Sequence, residues 1–165
     1  MSKRIRQYIG IFAAVIAYYV IHEGAHFLYA LYYGTFKGIN FMGLGMQIDA
    51  YVERMTDTQL GIFCLVGPLA TLVAGWLLIL LAKQICKSCS KVFKAVMWYV
   101  SLAILLLDPI YMSILCGFFG GGDMNGIKLL MPEIAARILF AVIGMIHGFA
   151  VWKYLLPVYT KAFQE

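Results

Sequence analysis

The chain has 165 residues, 63% of them hydrophobic and 13% charged, with a mean hydropathy of +0.86, a make-up too apolar for an ordinary soluble domain. The formal net charge of +5 does not signal nucleic acid, because the Lys and Arg residues flank apolar runs and form no patch. An integral, multi-pass membrane protein is expected, with the lipid bilayer as its surroundings.

Crossing a hydrocarbon core takes about 20 predominantly apolar residues, and four runs qualify: Tyr8 to Tyr33, Leu60 to Ala82, Ala95 to Cys116 and Ile134 to Leu156. The first is too long, and too polar at its centre, for a cleaved signal peptide, so it is expected to be a mature helix. Its centre reads Val20-Ile21-His22-Glu23-Gly24-Ala25-His26. Between the first two runs, Gly34 to Thr58, apolar residues alternate with mostly polar ones from Leu44 to Glu53, a period of two that predicts a strand. Gly34 to Phe41 can supply its partner, with Gly43 and Gly45 near the turn. Thr56-Asp57-Thr58-Gln59 is a capping-box pattern announcing the second helix.

The second run is interrupted by Gly67-Pro68, a kink tolerated in lipid where neighbours satisfy the freed carbonyl. Cys86-Lys87-Ser88-Cys89 follows, with no second pair to complete a structural zinc site, and reads as incidental reduced thiols; Cys64 and Cys116 read as small apolar residues of the spans. The third run carries Leu107-Asp108-Pro109, and a glycine-rich segment, Gly117 to Gly126, carries Asp123. The fourth holds Gly144-Met145-Ile146-His147-Gly148, a GxxxG spacing that lets another helix approach. His147 stands alone and reads as a satisfied core histidine.

With no room for a separate soluble domain, residues 1–165 are expected to form one all-α bundle of about four membrane helices, with a short β-hairpin-like loop after the first. If the N-terminus is cytoplasmic, Lys3, Arg4, Arg6, Lys83, Lys87, Lys91, Lys94, Lys153 and Lys161 are inside, against Lys37, Arg54, Lys128 and Arg137 outside. That asymmetry places both termini in the cytoplasm, the membrane being the cell membrane.

Ionisable residues at membrane depth are costly and need a partner or a metal. His22 and His26 are four apart, about 40° around a helix, so both imidazoles enter one space and can chelate zinc. Glu23 lies beside them, within reach of a water on the metal without being a ligand, the HExxH arrangement of metal-assisted peptide hydrolysis. Three histidines are too few for a di-iron centre. A catalytic zinc takes three protein ligands and an open position, leaving Asp108 and Asp123 as candidates for the third. Counting about 1.5 Å per residue, His22 and His26 lie roughly 10 to 17 Å below the membrane surface and Asp108 at similar depth. Asp123 gets there only if the glycines fold the chain back.

HEGAH in an early span, a β-like loop after it, Gly67-Pro68 in the next span and a late aspartate at a glycine-rich break together resemble the site-2 protease family of intramembrane zinc metalloproteases, over roughly Val15 to Pro132. The resemblance implies His22, His26 and Asp123 as zinc ligands, Glu23 as general base, and a loop strand that holds substrate extended. Asp123-Met124-Asn125-Gly126 departs from that family's Leu-Asp-Gly signature and lacks its preceding prolines, which keeps Asp108 open as third ligand. The resemblance also implies a site facing the cytosol, whereas the charge count puts the HEGAH end outside. The expected function is hydrolysis of a peptide bond in a membrane-embedded or membrane-adjacent substrate by a zinc-activated water. The alternative is a noncatalytic membrane binding or partner protein with a structural metal. Neither the oligomeric state nor the substrate's identity is legible.

Overall fold

The computed structural model describes residues 1–42, 45–120 and 122–164. Among the described residues, four helices are long and apolar enough to cross a membrane: α1 (Lys3–Tyr32), α2 (Asp57–Cys86), α3 (Lys91–Ser113) and a last one running Glu133–Gln164. The last consists of α5 (Glu133–Ala150), a π turn (Val151–Leu155) and α6 (Leu156–Gln164), while a single short turn, α4 (Met124–Ile127), lies between α3 and α5. The four long helices form one bundle, with α3 packed against α1, α2 and α5. Large apolar side chains such as Phe12, Val73, Leu80 and Phe149 point outward, the pattern of helices solvated by lipid instead of water.

The helix starts are set by local chemistry. Ser2 Oγ accepts from Ile5 N at 3.3 Å and Ser90 Oγ from Phe93 N at 3.2 Å. At α2 the expected capping box is complete, Thr56 Oγ1 accepting from Gln59 N at 3.2 Å and Gln59 Oε1 from Thr56 N at 2.9 Å. Two prolines then shape the third and fourth spans. Pro109 has no N–H to give the carbonyl of Leu105, one turn earlier, and His147 Nδ1 donates to that oxygen at 2.7 Å. The lone histidine of the fourth span is thus the group that heals a proline break in the third. In the last helix, Pro157 falls just after the π turn, which reaches past the missing donor. The fourth helix therefore continues to Gln164, beyond the Leu156 expected from hydropathy. Of the GxxxG pair only Gly144 sits at a close contact, its would-be Cβ 3.2 Å from Pro109 Cβ, while nothing lies within 4 Å of Gly148.

The loop after α1 is a two-stranded antiparallel hairpin, β1 (Phe36–Met42) with β2 (Gly45–Ala50), in the register Ile39↔Ile48 and Asn40↔Gln47 with an irregularity between Phe36 and Gly38. Gly34, at φ 65, closes α1, so β1 starts two residues later than the composition suggested. Ile48 and Ala50 are buried and Gln47 exposed, the alternation expected; it ends at Ala50 because Tyr51 (φ −73, ψ 77) leaves the extended region and Val52–Arg54 form a 3-10 turn, leaving Val52 exposed. The expected turn residue Gly43, with Leu44, lies outside the described residues.

After α3 the chain makes a 3-10 turn (Leu115–Gly117) and passes through Gly120 (φ 90) and Gly122 (φ 42), conformations that side-chain-bearing residues rarely adopt. Gly121, within the same glycine-rich segment, lies outside the described residues. The chain then folds back so that Met124, Gly126 and Ile127 of α4 are buried. Gly126 makes this docking on α2 close, since a Cβ there would fall 2.4 Å from Cys64 Sγ and 3.0 Å from the Leu60 carbonyl.

Candidate metal centre

His22, Glu23 and His26 lie on the bundle-facing side of α1, at 6%, 7% and 3% exposure, so each must find a partner inside the protein. One ligand atom from each lies within 4.8 Å of the others. The two imidazoles turn their Nε2 atoms toward each other, 3.2 Å apart. Their Nδ1 atoms point outward to acceptors: His26 to the Phe63 carbonyl at 2.7 Å and His22 to Asp108 Oδ2 at 3.2 Å. A carbonyl can only accept, so His26 carries its proton on Nδ1 and, when neutral, presents a bare lone pair at Nε2.

Asp123 Oδ2 completes the convergence, 3.0 Å from His22 Nε2 and 3.5 Å from His26 Nε2. Ligand atoms on a tetrahedral zinc at about 2.0–2.2 Å stand roughly 3.3–3.6 Å apart, and the three separations here straddle that range. Three such ligand atoms facing one another at these distances can hold a cation among them. Space for their tips depends on Gly67 of α2, where an added Cβ would fall 2.4 Å from His26 Nε2 and 2.7 Å from His22 Nε2. The donor set and this glycine cradle fit a metal ion, so the cluster is one capable of chelation.

Of the two aspartates that the sequence left open, Asp123 lies where the Nε2 atoms converge, and Asp108 lies behind His22. Asp108 is 1% exposed; its Oδ1 accepts from Tyr18 Oη at 2.6 Å, and its Oδ2 faces His22 and accepts from Thr71 Oγ1, which also lies 2.8 Å from the Pro68 carbonyl. Glu23 makes a different contact: its Oε2 accepts from the backbone N–H of Ile48 at 2.8 Å. N–H and C=O of one residue point the same way in an antiparallel strand, so this bond shows that β2 turns its unpaired edge toward α1 and the cluster. Tyr18, Thr71, Phe63 and Ile48 were not picked out from the sequence. Tyr18 one turn before His22 and Thr71 one turn after Gly67 had a usable signal in their helical spacing.

The cluster opens into a cavity of about 350 Å³ whose walls include Tyr19, Met46, Gln47 and Phe119. A larger cavity, about 470 Å³, lies at the opposite end of the bundle among Lys3, Arg6 and Lys91 and holds no group of the cluster. Cys86 is half-buried and Cys89 exposed, both as free thiols, and neither is near the histidines. No protein-family model matches this sequence, and no curated protein or solved structure matches it either. Fold and site together define a multi-pass membrane protein of four long helices with a buried His-Glu-x-x-His triad, an arrangement of zinc-metalloprotease kind.

Proposed function

We propose that this protein is an intramembrane zinc endopeptidase, similar to the site-2 protease family, acting on a peptide in or next to the membrane. The observation that carries the reading is the convergence of His22, His26 and Asp123 at 3.0 to 3.5 Å, with Glu23 beside them and an open cavity in front. His22, His26 and Asp123 hold the metal and Glu23 does not. Zinc bound there supplies a Lewis acid that polarises a carbonyl and makes water a nucleophile near neutral pH.

The residues of the chain do the rest. Glu23 takes a proton from the attacking water as its oxygen adds to the scissile carbonyl carbon, and delivers that proton to the amine nitrogen as the C–N bond breaks. The Ile48 N–H fixes the Glu23 carboxylate, leaving its second oxygen for this transfer. A helical substrate hides its scissile carbonyl in its own hydrogen bonds, so it must be unwound first. The unpaired edge of β2 beside Glu23 offers an extended peptide backbone partners by strand addition. The termini lie in the cytoplasm, and the site opens toward the other face of the cell membrane.

Elemental analysis of the purified protein, combined with incubation with a model transmembrane peptide in detergent, tests the reading. One zinc per chain, lost in His22→Ala with His26→Ala, and cleavage of the peptide are expected. Zinc at one per chain with no turnover of any peptide would favour a noncatalytic membrane partner with a structural metal. Zinc content unchanged by the double substitution would sink both.

A further inference from the structure

Resting on the zinc reading above, we infer that Asp108 is a positioning residue: with Tyr18 and Thr71 it holds the His22 imidazole so that Nε2, and not Nδ1, faces the metal. A carboxylate 1% exposed in the middle of a membrane bundle is strongly unfavourable unless its oxygens are filled by donors. Asp108 has three, from two other spans: Tyr18 and His22 of α1 and Thr71 of α2. Its own span, α3, makes the third, so one side chain ties α1, α2 and α3 together at the level of the cluster.

The donors differ in what they can do. Tyr18 has a single hydroxyl proton, and its carboxylate bond uses it; the single Thr71 proton is shared between Asp108 and the Pro68 carbonyl at 2.8 Å, and the two contacts together fix Asp108 in orientation. That leaves the carboxylate as an acceptor for His22 Nδ1–H at 3.2 Å. An imidazole that donates from Nδ1 presents a lone pair at Nε2, the atom 3.2 Å from His26 Nε2 and 3.0 Å from Asp123. His26 is held the same way by a backbone carbonyl. The two ligand histidines thus have different anchors: one made by the α2 backbone, which cannot be mutated away, and one made by a side chain, which can. Asp108 stands on the Nδ1 side of the ring and is not a ligand.

Zinc affinity, measured on the full chain in detergent by competition with a chelator, and the visible spectrum of the cobalt-substituted protein provide the test. Removing a carboxylate that orients a ligand histidine costs about 10- to 100-fold in metal affinity. Asp108→Ala is expected to lose zinc affinity by that factor while keeping a cobalt spectrum of wild-type band positions, because the ligand set is intact. Asp108→Asn, which keeps an acceptor oxygen, is expected to recover most of the loss. If Asp108→Ala does not fold, Tyr18→Phe with Thr71→Val decides: it preserves shape, leaves Asp108 loose, and is expected to weaken zinc about three- to tenfold. Wild-type affinity in Asp108→Ala, or in the double variant, overturns the inference. So does Asn behaving no better than Ala, which would mean a bare charge effect, or cobalt bands shifting as they do on loss of a ligand. Failure of the wild-type protein to bind zinc would defeat the underlying reading instead.

Discussion

Gly67→Ala is the smallest change that should disable the metal centre, and its sign runs against helix propensity. An alanine inside a helix is worth about 1 kcal/mol more than glycine, so without a tertiary clash the variant would be the more stable. Here the new methyl would sit 2.4 Å from His26 Nε2 and 2.7 Å from His22 Nε2, roughly 1 Å inside ordinary van der Waals contact. Neither ring can swing aside cheaply, since His26 is held by Phe63 at 2.7 Å and His22 by Asp108 at 3.2 Å. Overpacking of this kind costs about 1–3 kcal/mol; borne by the ligand rings, that is about a 5- to 150-fold loss of zinc affinity. Chelator competition reads the loss, with circular dichroism to verify that the helices persist. Gly148→Ala is the control, because nothing lies within 4 Å of its Cβ position, and it should bind zinc as wild type does. Wild-type affinity in Gly67→Ala would refute the argument that this glycine makes room for the ligand tips.

Asp123→Ala should lose zinc and peptide cleavage together, as metal analysis and a peptide assay on one preparation would reveal; retention of zinc would remove Asp123 from the ligand set. Ile48→Pro deletes the N–H that binds Glu23 at 2.8 Å without touching a ladder bond, since that N–H faces away from β1. One hydrogen bond to a charged group is worth about 1.5–3 kcal/mol, so turnover should fall about 10- to 100-fold with zinc content unchanged. His147→Leu leaves the Leu105 carbonyl without its donor and should lower stability to denaturant by about 1–3 kcal/mol, with zinc affinity intact; a loss of zinc would tie His147 to the site.

Which features could be read in advance follows from their range along the chain. The spans and the i, i+4 convergence of His22 and His26 are local, so hydropathy and helical period suffice. The capping box at Thr56 and Gln59 is likewise a matter of four consecutive residues. Depth counting put Asp108 and the histidines at one level, but level says nothing about which side of a ring a carboxylate meets. That depends on how α1 and α3 are rotated against each other. The fold-back of Asp123 was partly visible in its glycines, because positive φ at Gly120 and Gly122 is a backbone demand that composition betrays. Its docking, through Gly126 against Cys64, is a contact 62 residues apart and left no local trace. His147 shows the same limit: being buried and satisfied was legible, whereas its partner, the carbonyl orphaned by Pro109, lies 42 residues away. The strand expected to reach Glu53 stops at Ala50 because alternation of side chains does not encode where the backbone turns.

The central claim is that this metal centre cuts peptides by way of Glu23, and Glu23→Gln tests it most directly. Wild type and variant are purified in parallel, assayed for zinc per chain and incubated with the same transmembrane peptide. Glu23 is held by Ile48 and, on this account, is not a ligand, so the variant should keep its full zinc while cleavage falls to background, a loss of at least about 100-fold for removal of a general base. Cleavage near the wild-type rate with zinc bound would contradict the account.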